Sequence, residues 1–470
     1  MVEFTARHWI FEEFNNIDFG DHRLNARFLK TALLLSEKPN ASINRTCLGR
    51  SQIKGAYRMF KNDRVNLEEI FAAHEEKTIE RICNTDSVVL AIQDTSFLNY
   101  TSHTSKKGFG HICTVGKVHS QGLVMHTTLA ISSTGRPLGV LKQDIWSRNK
   151  LPNARSSHER KISPIEQKES MKWIHSLRNC SEIESDLKRK IVTVADRESD
   201  IFEFIHEAEK LKSDFLIRAV RDRVVTTSTG DISSVWSELE SQPSAGTIDL
   251  LVPAKVAQKK RYVKLDVKFC SLTINPPIKK KILRDLGSTT VYGILVKERK
   301  PPKGVVPLEW VLLTSLEVNS FKQAVEKVEW YKRRWQIEIF HKILKSVCRV
   351  EECRMQTSDQ IKKFVLLSSV NAWRIYWMTY ASREIPEESY KLILEEYEWK
   401  ILQAITKDLR NKKIVKPTIR EAVRLIAQLG GFLARKSDGE PGVLTIARGW
   451  ETLKTMSENW HRLKEINIYG

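Results

Sequence analysis

Cysteine is sparse and scattered. The 470-residue chain has seven, none in a Cys-x-x-Cys pair, and the nearest two, Cys348 and Cys353, have no histidine pair at finger spacing beside them. That spacing excludes a structural zinc, and the expectation is reduced cysteines in a cytoplasmic protein. Long apolar runs are missing as well. The best candidate for a membrane span, "FVLLSSVNAWRIYWMTYA" at 364–381, is interrupted by Asn371 and Arg374 and reads as a long buried helix. The opening "MVEFTARHWIFEEF" carries acids and no apolar stretch with a cleavage site, so no signal peptide is expected. No internal repeat or low-complexity tract occurs. Acid is in deficit: Lys and Arg outnumber Asp and Glu by 77 to 57, a formal charge of +20. Such an excess favours a polyanionic partner, nucleic acid before an acidic membrane surface.

What is present is enough apolar material, 41% of 470 residues, for two or three domains with a sizeable core. Residues 1–75 read as helical and basic. Asp21 can cap a helix on which Arg23, Arg27 and Lys30 share a face, and Lys54, Tyr57, Arg58 and Lys61 share another. From about residue 87 the pattern changes to β-branched apolar runs. "SVVLAIQDTSFLNY" leads to Asp94 and "KIVTVADRESDIFEFI" to Asp196, and each reads as a central strand with an Asp where the strand ends. Between about 235 and 305, "RYVKLDVKF" alternates like a half-buried antiparallel strand. Basic loops flank it: "QKKR", "PPIKKK" and "KERKPPKG". We read this segment as a β insertion that touches nucleic acid. "EWVLLTS" at 309–315 returns to a strand. Beyond residue 383 the chain is again helical and basic, with "KDLRNKK" and then "IAQLGGFLARKSDGEPG", whose glycines end one helix before the next begins.

One segment concentrates the chemistry. "YKRRWQIEIFHKILK", residues 331–345, sets Lys332, Arg333, Arg334, His341, Lys342 and Lys345 around a single carboxylate, Glu338. On a helical wheel Tyr331, Arg334, Glu338, Lys342 and Lys345 fall within about 80° of one another, opposite Ile337, Ile339, Phe340, Ile343 and Leu344. The spacing therefore predicts one helix with an apolar back and a mixed-charge front. Surface i,i+4 ion pairs would explain that front at a few tenths of a kcal/mol each. Alternatively, Glu338 joins Asp94 and Asp196 as the hard-oxygen ligands of two divalent ions. Arg334, Lys342 and Lys345 would then hold substrate phosphates, with Tyr331 donating to a phosphate oxygen.

The pattern Tyr331, Arg334, Glu338, Lys345 resembles the signature of the DDE transposases of bacterial cut-and-paste insertion sequences that excise through a DNA hairpin. "AIQDTS" at 91–96 and "DRESD" at 196–200 resemble that family's first and second aspartate motifs. The likeness extends to "GDHRLNARF", "GAYRMFKN", "EWVLLTS" and "IAQLGGFLARKSDGEPG", and the chain closely resembles the group containing the transposase of the composite kanamycin-resistance transposon. The resemblance implies an α/β fold: a ribonuclease-H-like catalytic core over 76–382 with the β insertion, a helical DNA-binding domain at 1–75 and a helical dimerisation domain at 383–470. It implies that Asp94, Asp196 and Glu338 coordinate two Mg²⁺ or Mn²⁺ ions. By the same analogy, water nicks each transposon end and the new 3′-hydroxyl forms a hairpin on the opposite strand. Water then reopens the hairpin, and the 3′-hydroxyl attacks target DNA.

The resemblance further makes Trp310 the platform for a flipped base, with Trp335 as a second wall, and Arg27, Arg58 and Arg218 DNA contacts. Its partners are double-stranded DNA, as inverted-repeat ends and target, and a second copy of the chain in the synaptic complex; no membrane is implied. The bacterial cytoplasm, at the nucleoid when DNA is bound, is the expected location. Ile339 stands where the near relative has a second glutamate, and Lys332 and Arg333 also differ, so the end sequence does not carry over. Two other functions would use the same features: a structure-specific nuclease or junction resolvase on this core, and a non-catalytic DNA-binding inhibitor of transposition.

Overall fold

A computed structural model describes residues 8–47, 49–115, 118–148, 163–227, 229–252, 261–277, 283–410, 417–435 and 437–468. Its spine is a mixed sheet of β1 (Val89–Asn99), β2 (Gly110–Val115), β3 (Val118–Ser132), β4 (Pro137–Trp146), β5 (Ile191–Ala195), β6 (Asp214–Arg218), β7 (Val224–Thr226), β8 (Ile232–Ser234), β9 (Gly246–Val252), β10 (Arg261–Ile274), β11 (Thr289–Glu298) and β12 (Glu309–Thr314). The order is β2-β3-β1-β5-β6-β12-β11-β10-β7-β8, with β4 on β3 and β9 on β10. Among the named strands of the described residues, only β1 with β5 and β5 with β6 run parallel. The segment read as an insertion thus continues the same sheet, entering through β12, which pairs both β6 and β11. Val263, Leu265 and Val267 are buried on β10 while Lys264 is exposed, as the alternation predicts. Of the basic loops, Gln258–Lys260 of "QKKR", Ile278–Lys281 of "PPIKKK" and Asn411–Lys413 of "KDLRNKK" lie outside the described residues. In "KERKPPKG", Lys297 is paired with Glu240 and, at 3.3 Å, with Glu309.

Strand alternation divides the core. Leu90, Ile92, Val192, Val194, Leu216 and Leu312 pack on one face with the helices that follow β12. Ala195, Phe215, Ile217 and Leu313 face the other way, against helices between the parallel strands. Before the sheet come α1 (Trp9–Glu13), α2 (His22–Glu37), α3 (Ile43–Thr46), α4 (Arg50–Lys61) and α5 (Leu67–Cys83). Between β4 and β9 lie α6 (Met171–Leu187), α7 (Phe202–Leu211) and α8 (Val235–Ser241). After β12 come α9 (Phe321–Lys332), α10 (Gln336–Ser346), α11 (Ser358–Glu384), α12 (Glu396–Arg410), α13 (Ile419–Leu429) and α14 (Val443–Ile468). Asp21 caps α2 by accepting from the Arg23 and Leu24 N–H groups. α11, apolar on nearly every side, is the buried helix expected of residues 364–381. α13 stops before Gly430, where a Cβ would lie 2.0 Å from the Thr445 carbonyl; Gly449 meets the Ile426 carbonyl in the same way. Two glycines therefore let the backbones of α13 and α14 touch.

The N-terminal helices are bolted to the sheet by buried charge. Glu13 on α1 takes two guanidinium hydrogen bonds from Arg81, at 2.9 and 3.0 Å, and contacts His74 Nδ1 at 2.5 Å, both on α5. His74 Nε2 accepts the Val140 N–H of β4, and the Arg81 guanidinium also lies 4.0 Å from the Trp373 ring centroid on α11. At the other end of α2, Lys38 pairs with Glu458 at 3.0 Å and the Trp450 indole donates to the Ser36 carbonyl, tying α2 to α14.

Burial pushes the Glu13 carboxyl up, but His74 and Arg81 outweigh it and bring it down from 4.5 to about 2. A depressed carboxyl stabilises the fold above its unfolded value and loses that contribution as pH falls from about 4.5 through about 2. Glu13→Gln is expected to cost about 3 kcal/mol or more at pH 7 and to flatten the acid limb of stability, as measured by denaturant unfolding between pH 3 and 7.

Candidate functional site

The site begins with a register. β1 and β5 pair in parallel from Val89 with Ile191 to Ile92 with Val194. Asp94 and Asp196 each lie two residues past the last pair, so the pairing sets them at the same level on neighbouring strands. Asp196 follows the end of β5, as expected, but Asp94 is not at a strand end. β1 runs on to Asn99 because β3 stays paired with it as far as Gly122. Asp94 emerges instead where its other neighbour, β5, stops. The Asp196 carboxylate accepts the Glu198 N–H at 2.9 Å and caps the short 3-10 turn Arg197–Ser199. Burial raises its carboxyl above the usual range, and the adjacent Asp94 and Glu198 charges add to that, while the Glu198 N–H and Arg334 act against it.

Glu338 comes from the helix pair crossing the first face. The single helix expected over 331–345 is two, α9 and α10, joined by a 3-10 turn at Arg333–Trp335. At three residues per turn rather than 3.6, that turn alters which side chains align. Tyr331, Arg334 and Glu338 still meet. Arg334 donates to Glu338 Oε1 at 2.6 Å, a charge-assisted bond on a guanidinium whose side chain is only 16% exposed. Burial pulls the Arg334 pKa down, but Glu338, Tyr331 and Asp94 together hold it above its ordinary value. Lys345 is half-buried and also feels Asp94; desolvation lowers its pKa. Lys342 is exposed. Behind them Ile337, Phe340, Ile343 and Leu344 are fully buried.

On the other side of the acids the Tyr331 ring meets Trp310 edge-on, centroids 5.9 Å apart. Burial lifts the Tyr331 phenol, while Arg334 and Arg218 act in the opposite direction. Arg218 at the end of β6 donates to the Glu309 carbonyl at 2.9 Å, and desolvation lowers its pKa among Tyr331, Arg197 and Arg334. Trp335 is 60% exposed on the 3-10 turn. Arg27 and Arg58 lie on the N-terminal helices. The Arg27 guanidinium lies over Gly55 of α4, where a Cβ would come within 2.5 Å of Nη1, and Arg58 is exposed.

Three neighbours were not picked out from the sequence. Arg197 joins the cationic side beside Arg218. Lys172 on α6 reaches Glu198 at 3.5 Å and Glu169 at 3.8 Å. His341 is buried, with Nδ1 3.5 Å from Asp94 Oδ2. Arg197 was legible from its place inside "DRESD"; the other two depend on contacts distant in sequence.

A divalent ion would find a chemically suitable donor set here. The three acids offer only carboxylate oxygens, the hard donors Mg²⁺ and Mn²⁺ take, and the Asp196 carboxyl, raised first by burial and then by the Asp94 and Glu198 charges, would be favoured in its ionised form by added positive charge. Among the described residues, however, no three Asp, Glu, His or Cys side chains converge closely enough to hold an ion. Arg334 engages Glu338 instead.

Comparison with known families gives three matches along the chain. Residues 6–65 match Transposase DNA-binding, 170–372 match Transposase DDE domain, and 370–464 match Transposase Tn5 dimerisation domain. The chain thus carries DNA-binding and dimerisation domains around a DDE domain, whose chemistry depends on divalent metal. Asp196 and Glu338 fall inside the DDE match and Asp94 before it, so the pairing of Asp94 with Asp196 comes from the β1–β5 register. No helix among the described residues is long and apolar enough to cross a membrane.

Arg334 is the cation shared by Glu338, Asp94 and Asp196. Arg334→Gln is expected to strengthen Mn²⁺ binding to the DNA-free protein roughly tenfold, the scale of one lost charge-assisted bond, measured by electron paramagnetic resonance titration. Equal affinity in both proteins would show that Arg334 does not compete for Glu338.

Proposed function

The chain is a DDE transposase, an enzyme of phosphodiester cleavage and transfer, and we propose that it works by cut and paste through hairpin ends, as a close relative of the transposase of the composite kanamycin-resistance transposon. The observation that carries this reading is the Arg334 guanidinium, which donates to Glu338 and acts electrostatically on Asp94 and Asp196, the two aspartates that the β1–β5 register sets at one level, with Tyr331 and Trp310 in contact nearby.

In this reading Asp94, Asp196 and Glu338 hold two Mg²⁺ or Mn²⁺ ions, which supply Lewis-acid activation of the attacking and leaving oxygens. The chain's own cations do the positioning. Arg334 turns from Glu338 to the scissile phosphate, where its planar fork can take two oxygens at once. Lys345, already partly desolvated, offsets charge on the same phosphate, and Tyr331 donates its hydroxyl to a phosphate oxygen. Lys342 and Arg218 bind the flanking backbone. Arg27 and Arg58 bind the transposon end as part of the DNA-binding domain, and the C-terminal domain joins two copies at the paired ends.

Hairpin formation bends a duplex end sharply, and flipping a base relieves that bend. Trp310, held by Tyr331, offers a stacking face worth about 1–3 kcal/mol per base. Trp335, exposed on the turn, closes the pocket from outside once DNA is bound.

The test mixes the protein with Mg²⁺ and DNA carrying its native inverted repeats and reads the products on denaturing gels. Nicks, hairpins and joined products are expected, and Asp94→Ala, Asp196→Ala and Glu338→Ala should abolish all three. Nicking without hairpins or joining would favour a structure-specific nuclease; DNA binding without cleavage would favour an inhibitor. Trp310→Ala is expected to nick normally and to form hairpins about tenfold more slowly, the lower range of one lost stack. A normal hairpin rate in that variant removes the base pocket and leaves the rest standing.

A further inference from the structure

Asp94, Thr127 and Gln143 form one row across three strands. Asp94 pairs with Thr127 in the β1–β3 register, and Thr127 with Gln143 in the β3–β4 register. Directly paired side chains point to the same face of a sheet. On that face His341 of α10 lies against Asp94 and Thr127, while Ser369 of α11 lies against Gln143. Thr127, Gln143, His341 and Ser369 are all buried, none more than 8% exposed.

From Gln143 to Asp94 the contacts fit one polarity. Ser369 Oγ lies 2.9 Å from both Gln143 Oε1 and the Val365 carbonyl, and the Gln143 amide nitrogen faces Thr127 Oγ1 and Met125 Sδ. Gln143 Nε2 donates to Thr127 Oγ1 at 3.2 Å, leaving the hydroxyl proton for another acceptor. His341 Nε2 lies 3.3 Å from that oxygen, and Nδ1 lies 3.5 Å from Asp94 Oδ2. The Nδ1–Oδ2 contact is an ion-pair distance rather than a hydrogen bond, so the carboxylate favours a proton on Nδ1 without fixing it there. In the neutral ring Nε2 is then the acceptor that the Thr127 hydroxyl requires. From Gln143 through Thr127 to His341, one set of donors leads toward Asp94.

We propose that His341 is a positioning residue for the Asp94 carboxylate, held in its Nδ1–H tautomer by the buried Ser369–Gln143–Thr127 relay. This rests on the reading of Asp94 as a metal ligand. The relay fixes one carboxylate oxygen on the protein side and leaves the other for a cation. Outer partners of this kind affect metal affinity by about 10- to 100-fold. The relay also reaches α11, the helix where the DDE and dimerisation matches meet.

Thr127→Val removes the hydroxyl at nearly constant shape, frees His341 to place its proton on Nε2, and turns a bare nitrogen toward Asp94. Thr127→Ser keeps the hydroxyl. The nitrogen-15 shifts of labelled histidine in the DNA-free protein are expected to show His341 as the Nδ1–H tautomer in the natural sequence and in Thr127→Ser, and to lose it in Thr127→Val. Mn²⁺ titration of the DNA complex, followed by electron paramagnetic resonance, should give about tenfold weaker binding in Thr127→Val and binding within about twofold of normal in Thr127→Ser. Melting temperatures and gel-shift affinity for DNA ends, read in parallel, should stay close to those of the natural sequence. An Nε2–H tautomer in the natural sequence, or unchanged Mn²⁺ affinity in a folded Thr127→Val, overturns the proposal. Asp94→Asn separates the two levels: full cleavage by that variant overturns the assignment of Asp94 itself. Loss of cleavage there, with normal Mn²⁺ affinity in Thr127→Val, overturns only the relay.

Discussion

Everything at the site depends on the four-residue parallel pairing of β1 with β5. Parallel strands need a crossover between them, and here it leaves β1 and returns through β2, β3, β4 and α6 before β5 begins. The pairing places two aspartates of like charge side by side, one raised in pKa by burial and by the other. Such a pair is unfavourable unless positive charge answers it. Arg334 supplies that charge in the DNA-free protein, reaching Glu338 from a 3-10 turn that breaks an otherwise helical stretch. The same guanidinium serves as counterion to the acids and as a ready partner for phosphate. On the proposed reading, DNA binding and exposure of the acids to cations would be linked through that single side chain.

Much of this was legible in the sequence because it was local. The apolar runs before Asp94 and Asp196, the alternation in "RYVKLDVKF", the Asp21 cap and the glycines after α13 each act within a few residues of where they are written. The departures share a different cause. The end of β1 is set by how long β3 accompanies it, not by the polarity of Asp94. The 3-10 turn does not disturb the apolar period of residues 337–344, so a wheel reads straight through it. His341 appears in sequence as one more base on a basic helix. Its contacts with Asp94 and Thr127 exist only because two cross-strand registers bring distant residues into line.

The sheet also relates the site to its surroundings. β12, which carries Trp310, pairs on one side with β6, which carries Arg218, and on the other with β11 of the β-rich segment. The aromatic and cationic wall beside the acids is therefore part of the same hydrogen-bonded framework as the acids themselves. Its geometry comes from strands rather than loops, which suits a site of phosphodiester cleavage and transfer.

The latch of Glu13 with His74 and Arg81 bears on how such proteins exchange parts. α5 spans Leu67–Cys83, so a cut near residue 75 passes through the helix between His74 and Arg81. The DNA-binding match ends earlier still, at residue 65. Recombination that moved only the matched segment between relatives would separate Glu13 from both partners, leaving a buried acid facing foreign side chains. A DNA-binding unit moved with its buried contacts intact therefore has to include α5 and the β4 edge it grips, a block larger than the matched residues alone.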